Sequence, residues 1–291
     1  MPYDAAIPEL WHAAFLKALR NKHVYAARAN RDYEGEIKGP GDVVRINTYS
    51  DVTIRTYTKN TTTITAAEKL NVGDLTLVID QAFYANADVD DVDQVQMKPK
   101  ARQAITESIG FGFAENMDDN LATVLNTDGD GFGTAATGNR TANTTIVATD
   151  ENAYTILVDL SVLLDEDNVP EEGRWVVVPP WFRGSMVKDP RFVEYGTPAN
   201  VRVLRDGPPA IYKAAGFDVF VSNNVPSTAT TLASVIAGHP MALTVADQIP
   251  FGSLEFYRPE GRFSDAVKVL HVFGRKVVRS QALAMCLAEN G

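Results

Sequence analysis

Between Gln96 and Asn126 the apolar positions recur every four residues. Ile105, Ile109, Phe113, Met117, Leu121 and Leu125 form an i, i+4 ladder, with Ala101 and Val124 beside it, and so share one face of a helix. Pro99 stands where a first helical turn tolerates proline, and the next proline is Pro170. About 28 residues at 1.5 Å each make a rod of roughly 42 Å, longer than a small domain is wide. This predicts a spine on which other parts are hung. Gly110 and Gly112 lie inside it, each costing about 1 kcal/mol relative to Ala. They predict a kink or a close crossing by another backbone.

Upstream the pattern is extended. Val43 to Thr58 is rich in Val, Ile, Thr and Tyr, and Leu75 to Val89 answers it, with Leu75, Leu77 and Ile79 alternating. The polar, Thr-rich stretch Lys59 to Asp74 between them is a solvated tip. A 16-residue arm would reach about 50 Å, several times the usual strand length. A two-stranded ribbon is marginal in water and its edges invite pairing. The expectation is a hairpin completed by a neighbouring subunit or bent back on its own core. Before it, Ile7 to about Arg20 reads as a short amphipathic helix and Tyr25 to Pro40 as an irregular strap.

Downstream, Asn126 to Thr149 is Gly- and Thr-rich and reads as a linker. A mixed pattern follows. Glu151 to Asp165 predicts a helix and Trp175 to Val178 a buried strand stopped by Pro179-Pro180. A helical segment runs through Trp181, Met186 and Val187, and Pro190 to Ala215 is loop-rich. Phe217 to Val221 and Ser234 to Ala237 read as strands, His239 to Ile249 as a helix, and Gln281 to Leu287 as a helix or strand. Long alternation returns over Leu254 to Val278. Extended elements lie far apart in sequence, which predicts an α+β fold in which an α/β part is inserted into a discontinuous domain.

Composition narrows the function. The net charge is −10, which disfavours a protein that grips nucleic acid through Lys and Arg. The single cysteine, Cys286, lies in an apolar run and reads as a small buried hydrophobe. The N-terminus carries no signal-peptide pattern, and no apolar run approaches the 18 or so residues of a membrane span; the expectation is a soluble, cytoplasmic chain. Among Asp88, Asp90, Asp91 and Asp93, strand spacing puts the first two on one face and the last two on the other, so they do not converge on a cation. Asp128 to Gly133 resembles the start of a calcium loop, but position twelve is Asn139 where Glu is needed. Phosphate-loop and nucleophile-elbow patterns are missing, and the four histidines are scattered. No catalytic, cofactor-binding or metal site is expected, and the chain reads as a non-enzyme.

Several of these stretches resemble one family. Gly41-Asp42-Val43-Val44-Arg45-Ile46, Thr56-Tyr57-Thr58-Lys59-Asn60, Leu77-Val78-Ile79-Asp80-Gln81 and Val89-Asp90-Asp91-Val92-Asp93 are similar to the N-terminal half of major capsid proteins of tailed bacteriophages. Tyr257-Arg258-Pro259-Glu260-Gly261-Arg262-Phe263 and Leu270-His271-Val272-Phe273-Gly274-Arg275 resemble the closing strands of that family. The resemblance implies the phage Hong Kong 97-type capsid fold. It would place an N-terminal arm at 1–40, an extended-loop hairpin at 41–80, a peripheral domain with the spine helix at 81–126 and 251–273, and an axial domain at 127–250 and 274–291. It also implies pentamers and hexamers of this chain in an icosahedral shell, with the hairpin lying across the next subunit and the arm strapped onto a neighbour. The shell would enclose double-stranded DNA without sequence-specific binding, with a portal protein and separate scaffolding or decoration proteins as further partners. It would be assembled in the host cytoplasm and kept in the virion. Nothing marks a crosslinking partner for Lys59 or Lys69, and no crosslink is expected. Tyr33 and Glu34 on the arm, and Arg55, Tyr57, Lys59 and Asn60 on the loop, are the expected intersubunit contacts. The alternative within the same fold is an encapsulin-like nanocompartment holding enzyme cargo.

Overall fold

A computed structural model of the chain describes residues 23–32, 43–49, 52–60, 67, 72–90, 100–128, 130–132, 146–148, 152–189, 212–227, 232–248, 254–261 and 263–290. The four-residue ladder is realised as helix α1, Lys100–Asp128, 29 residues long. Phe113, Met117, Leu121 and Leu125 are buried, together with Ala114, Asp118 and Ala122 one position further on. The helix divides this face between two cores. Phe113 and Ala114 pack with Val269, against Phe83, Ala85, Ile109 and Val267. Met117, Leu121, Ala122 and Leu125 enter the main core.

The first core belongs to a four-stranded antiparallel sheet. Its centre is β12, Ser264–Val277, a strand of 14 residues. On one flank it pairs with β3, Gln81–Asp90, over ten residues from Ser264↔Asp90 to Phe273↔Gln81. On the other it pairs with β10, Leu243–Gln248, and β11, Leu254–Tyr257. Along β3, half-buried and exposed residues alternate, as expected of a strand with one face on a core and one in water.

The main core is built on a mixed seven-stranded sheet and also takes in Leu243, Val245, Phe273 and Val277 of the four-stranded one. In chain order the strands of the seven-stranded sheet are β4 (Asp130–Phe132), β5 (Ile146–Ala148), β6 (Trp175–Val178), β7 (Tyr212–Ala214), β8 (Phe217–Val221), β9 (Leu232–Gly238) and β13 (Leu283–Asn290). They run in the order β4-β13-β9-β6-β8-β7, with β5 also on β13. Every residue of β6 is buried, because it has neighbours on both flanks and covered faces. Helix α2, Ala153–Glu166, buries Ala153, Ile156, Leu157, Leu160 and Leu164. Helix α3, Pro180–Lys188, starts with proline in its first turn and buries Phe182, Ser185 and Met186.

Three expectations are corrected. The hairpin is shorter than a 16-residue arm: β1, Val43–Tyr49, pairs with β2, Val72–Val78, over seven residues, about 23 Å. Residues 52–58 lie outside any strand, and the second run breaks after Val78 because β3 leaves to join β12. The predicted helix at His239 to Ile249 is a turn followed by β10. Thr244 and Val245 are β-branched, and all of Ala242 to Ala246 is buried in a strand that β12 completes. The strap from Tyr25 is irregular as expected over residues 25–29, with Tyr25 and Ala26 fully buried in the main core and Asn30 bridging to Thr244 of β10. Finally, the stretch read as a linker contributes strands β4 and β5, which β13 pairs, and the C-terminal run, read as helix or strand, is strand β13. The predicted helix from Ile7 and most of the loop-rich stretch from Pro190 lie outside the described residues.

Candidate assembly surface

The loop is anchored where it leaves the body. Ile46 and Leu77 are buried against Ala246, with Leu75 and Val278 around them. Beside this root the chain crosses β12 at Gly274. A Cβ there would stand 2.7 Å from the Val78 carbonyl oxygen and 3.1 Å from Ile79 Cα, so only glycine lets the two backbones pass. The expected crossing at Gly112 is not there, since a Cβ at that position meets nothing within 4 Å.

Beyond the root every described residue from 52 to 60 is exposed. Ile54 is 95% exposed and Tyr57 65%, with Val52 close to that. Asn60 takes a left-handed conformation, φ 63°, which its short polar side chain tolerates. Of the expected contact residues, Arg55, Tyr57, Lys59 and Asn60 thus stand together on an exposed loop. Tyr33 and Glu34 lie outside the described residues. The sequence reading passed over Ile54 and Val52, although their alternation with polar neighbours carried the signal.

The outer face of the four-stranded sheet is also exposed and partly apolar. Tyr84, 82% exposed, stands directly opposite Leu270 in the β3–β12 ladder. Next to them Asn86 donates to the Tyr257 hydroxyl at 2.9 Å, and Lys268 pairs with Glu255 at 2.8 Å while lying over the Tyr257 ring. These exposed pairs add little stability, but they hold side chains in fixed places. Between β3 and α1 runs a groove of about 220 Å³, lined by Phe83, Tyr84, Ala85, Ile109, Gly112, Phe113 and Asn116.

Beneath this surface the side chains are packed and protected. His271 is buried, 2.7 Å from Asp247, with Phe113 and Phe273 against its ring. Cys286 is buried, and burial, followed by the charge of Asp159, pushes its thiol up to about 12. It is protonated at neutral pH, which argues against a nucleophile. Arg275 is pushed down by burial, an effect that the nearby Asp80 opposes.

A family model for phage capsid proteins matches residues 86–286, more than half of the chain. The chain belongs to the phage capsid protein family. A solved structure from Mycobacterium phage Che8 is 27% identical, with 91% of this capsid protein and 90% of that chain covered and a TM-score of 0.74. The capsid of cyanophage P-SCSP1u is 17% identical, with 91% and 86% covered and a TM-score of 0.63. The SrpI encapsulin from Synechococcus elongatus is 11% identical, with 87% and 84% covered and a TM-score of 0.53. The last two share the fold alone. No curated protein sequence matches. The capsid protein thus has the mixed α+β, Hong Kong 97-type architecture of its phage relatives. Those relatives are structural components of shells rather than enzymes.

Proposed function

We propose that this capsid protein is the major shell subunit of a tailed bacteriophage, joining as pentamers and hexamers into an icosahedral shell around packaged double-stranded DNA. The observation that carries the reading is the exposed loop on its fixed root. Side chains as apolar as Ile54, held clear of their own core, lower their free energy only by reaching another surface. Heterologous contacts of this kind close into rings when the rotation permits. The loop lies across the next subunit, with Arg55, Tyr57, Lys59 and Asn60 in the contact. On the arm, Tyr33 and Glu34 are contacts of the same kind.

The α1 helix packed on two separate cores supports a division into a peripheral part, 81–126 with 251–273, and an axial part, 127–250 with 274–291. The arm would be 1–40 and the loop 41–80. The shell is completed by a portal protein and by scaffolding or decoration proteins, and it is assembled in the host cytoplasm before becoming the virion capsid. A net charge of −10 suits a wall that encloses DNA without adhering to it.

The likeness to the encapsulin and to a virus-like particle from Pyrococcus furiosus keeps a cargo-holding compartment as the second reading. Electron microscopy of the protein co-expressed with its neighbouring genes, with nuclease treatment, separates the two. Closed shells with protected DNA are expected; shells holding only protein would favour the compartment. A chain that remains a monomer would overturn both.

A further inference from the structure

β3 is an edge strand. Ten consecutive pairs join it to β12, and among the described residues no strand pairs with its other side. Native proteins blunt such edges with a bulge, a proline or a lysine, or keep them short. Over Gln81–Asp90 the register runs without a bulge, and the sequence holds neither proline nor lysine. Its only charges, Asp88 and Asp90, stand at one end. At about 3.4 Å per residue the edge is roughly 34 Å long. An edge of this kind is a template for a strand from elsewhere.

The groove beside β3 follows this edge. Phe83 and Ala85 pack towards α1 and Tyr84 points away from it, yet all three line the groove. It therefore runs along the side of the strand, not across one of its faces. The opposite wall is one side of α1, with Ile109, Gly112, Phe113 and Asn116 spaced three and four apart. A Cβ on Gly112 would meet nothing within 4 Å, which leaves room there for a side chain from a strand laid on β3.

The chain also carries a segment of matching pattern. Val52-Thr53-Ile54-Arg55-Thr56-Tyr57-Thr58 is β-branched or aromatic at every position but Arg55, yet it belongs to no strand. When extended, Val52, Ile54 and Thr56 share one face and Thr53, Arg55 and Tyr57 the other. Ile54 is 95% exposed and Tyr84 82%, so the segment does not lie on its own β3. Residues 52–60 include Arg55 and Lys59 and no acid. Near the groove, Asp88, three residues beyond Ala85, and Glu115, next to Asn116, are exposed acids.

We propose that residues 52–58 of a second copy add to the free edge of β3 as a further strand of the sheet. Val52 and Ile54 turn into the groove, with Ile54 over Gly112, and Arg55 and Tyr57 lie on the outer face beside Tyr84. This rests on the reading of the loop as a contact with the next subunit, and gives that contact its site and its facing. Backbone bonds along the edge supply the attachment. The groove sets the register, because a slip of one residue would turn Thr53 and Arg55 towards Phe113.

The test is disulfide trapping in the full chain, in which the native Cys286 is buried. Ile54→Cys combined with Gly112→Cys should give, on mild oxidation, a ladder of covalent multimers on a non-reducing gel. Thr53→Cys combined with Gly112→Cys moves the thiol to the other face of the strand and should crosslink at least tenfold less. Equal ladders from the two pairs, or a disulfide closed within one chain, would overturn the strand pairing. Hydrogen exchange of the wild type reads the same edge without substitutions. About half of the β3 amides, those facing away from β12, should exchange at least tenfold more slowly in the assembled than in the unassembled chain, and an unchanged rate would overturn the pairing. Shells in electron micrographs without the Ile54 ladder would overturn this inference alone. The ladder without shells would overturn the shell reading and keep the pairing, and the lack of both would overturn both.

Discussion

Gly274→Ala and Gly112→Ala place the same methyl group in two environments and should have opposite effects. At Gly274 the added carbon meets backbone on the facing side, 2.7 Å from the Val78 carbonyl oxygen and 3.1 Å from Ile79 Cα, closer than packed atoms tolerate. Neither contact is the far end of a side chain that can swing away, and β12 is held by β10 and β3 on its two flanks. Overpacking costs typically 1–3 kcal/mol, and with backbone on the facing side the upper end applies, about 3 kcal/mol. At Gly112 the carbon enters open space on an exposed helical turn, where alanine is better than glycine by about 1 kcal/mol. For a chain of this size each kcal/mol moves the melting temperature by about 2–4 °C. Gly274→Ala should therefore melt about 6–12 °C below wild type, and Gly112→Ala about 2–4 °C above it. The assay is circular-dichroism melting of the unassembled chain, with the three proteins scanned at one rate. A Gly274→Ala protein that melts at or above the wild type would refute the close crossing and the rigid root drawn from it.

Arg174 is buried, and its guanidinium donates to Asp165 at 2.7 Å, to the Pro170 carbonyl at 3.0 Å, and to the Val169 carbonyl. Asp165 is half exposed, so the ion pair itself is worth little, and most of the loss in Arg174→Ala would come from buried carbonyls left without donors. About 3 kcal/mol is expected, read as a lower urea midpoint with an unchanged slope. Cys286 should resist a thiol reagent at pH 8 until the chain unfolds. Because its folded pKa of about 12 lies above the unfolded value near 9, its contribution to stability is full below pH 9 and is lost as pH rises toward 12. Denaturation of Cys286→Ala across that window should show a shallower alkaline decline than the wild type. Ile54→Asp should leave the melting temperature of the unassembled chain within about 1 °C of wild type, since the side chain touches no core of its own, and should abolish shells in electron micrographs. Intact shells would refute the loop contact.

Where local pattern and tertiary environment agreed, the sequence was legible. Phe113, Met117, Leu121 and Leu125 marked the buried face of α1, and Trp175 to Val178 marked a strand buried on both faces. His239 to Ile249 was misread because Ala242 to Ala246 is apolar but for Thr244 and carries neither period clearly. What decides it is β12, which supplies the ladder from thirty residues away. The same distance hid the crossing at Gly274. A glycine that admits another backbone looks, in sequence, like one that faces open space, and Gly112 turned out to be the second kind. Asp118 was invisible for a related reason. On a helix a lone Asp reads as solvated, and its burial depends on two amides more than ninety residues upstream. The loop contacts Arg55, Tyr57, Lys59 and Asn60 could be located because the tip is local. Their partners lie on a surface that one chain does not contain.

Two of the links between the sheets differ in kind. Helix α1 packs one end of its buried face on each sheet, and β12 continues through a single turn at Ser280–Ala282 into β13. Mechanically this is a truss, with a stiff rod to resist compression and a covalent tie to resist stretch. A force drawing the sheets apart along that tie loads the β3–β12 ladder lengthwise, so that its hydrogen bonds must slip together rather than peel one after another. A wall built of such units would stiffen under pressure from within, and would yield first at the contacts between copies.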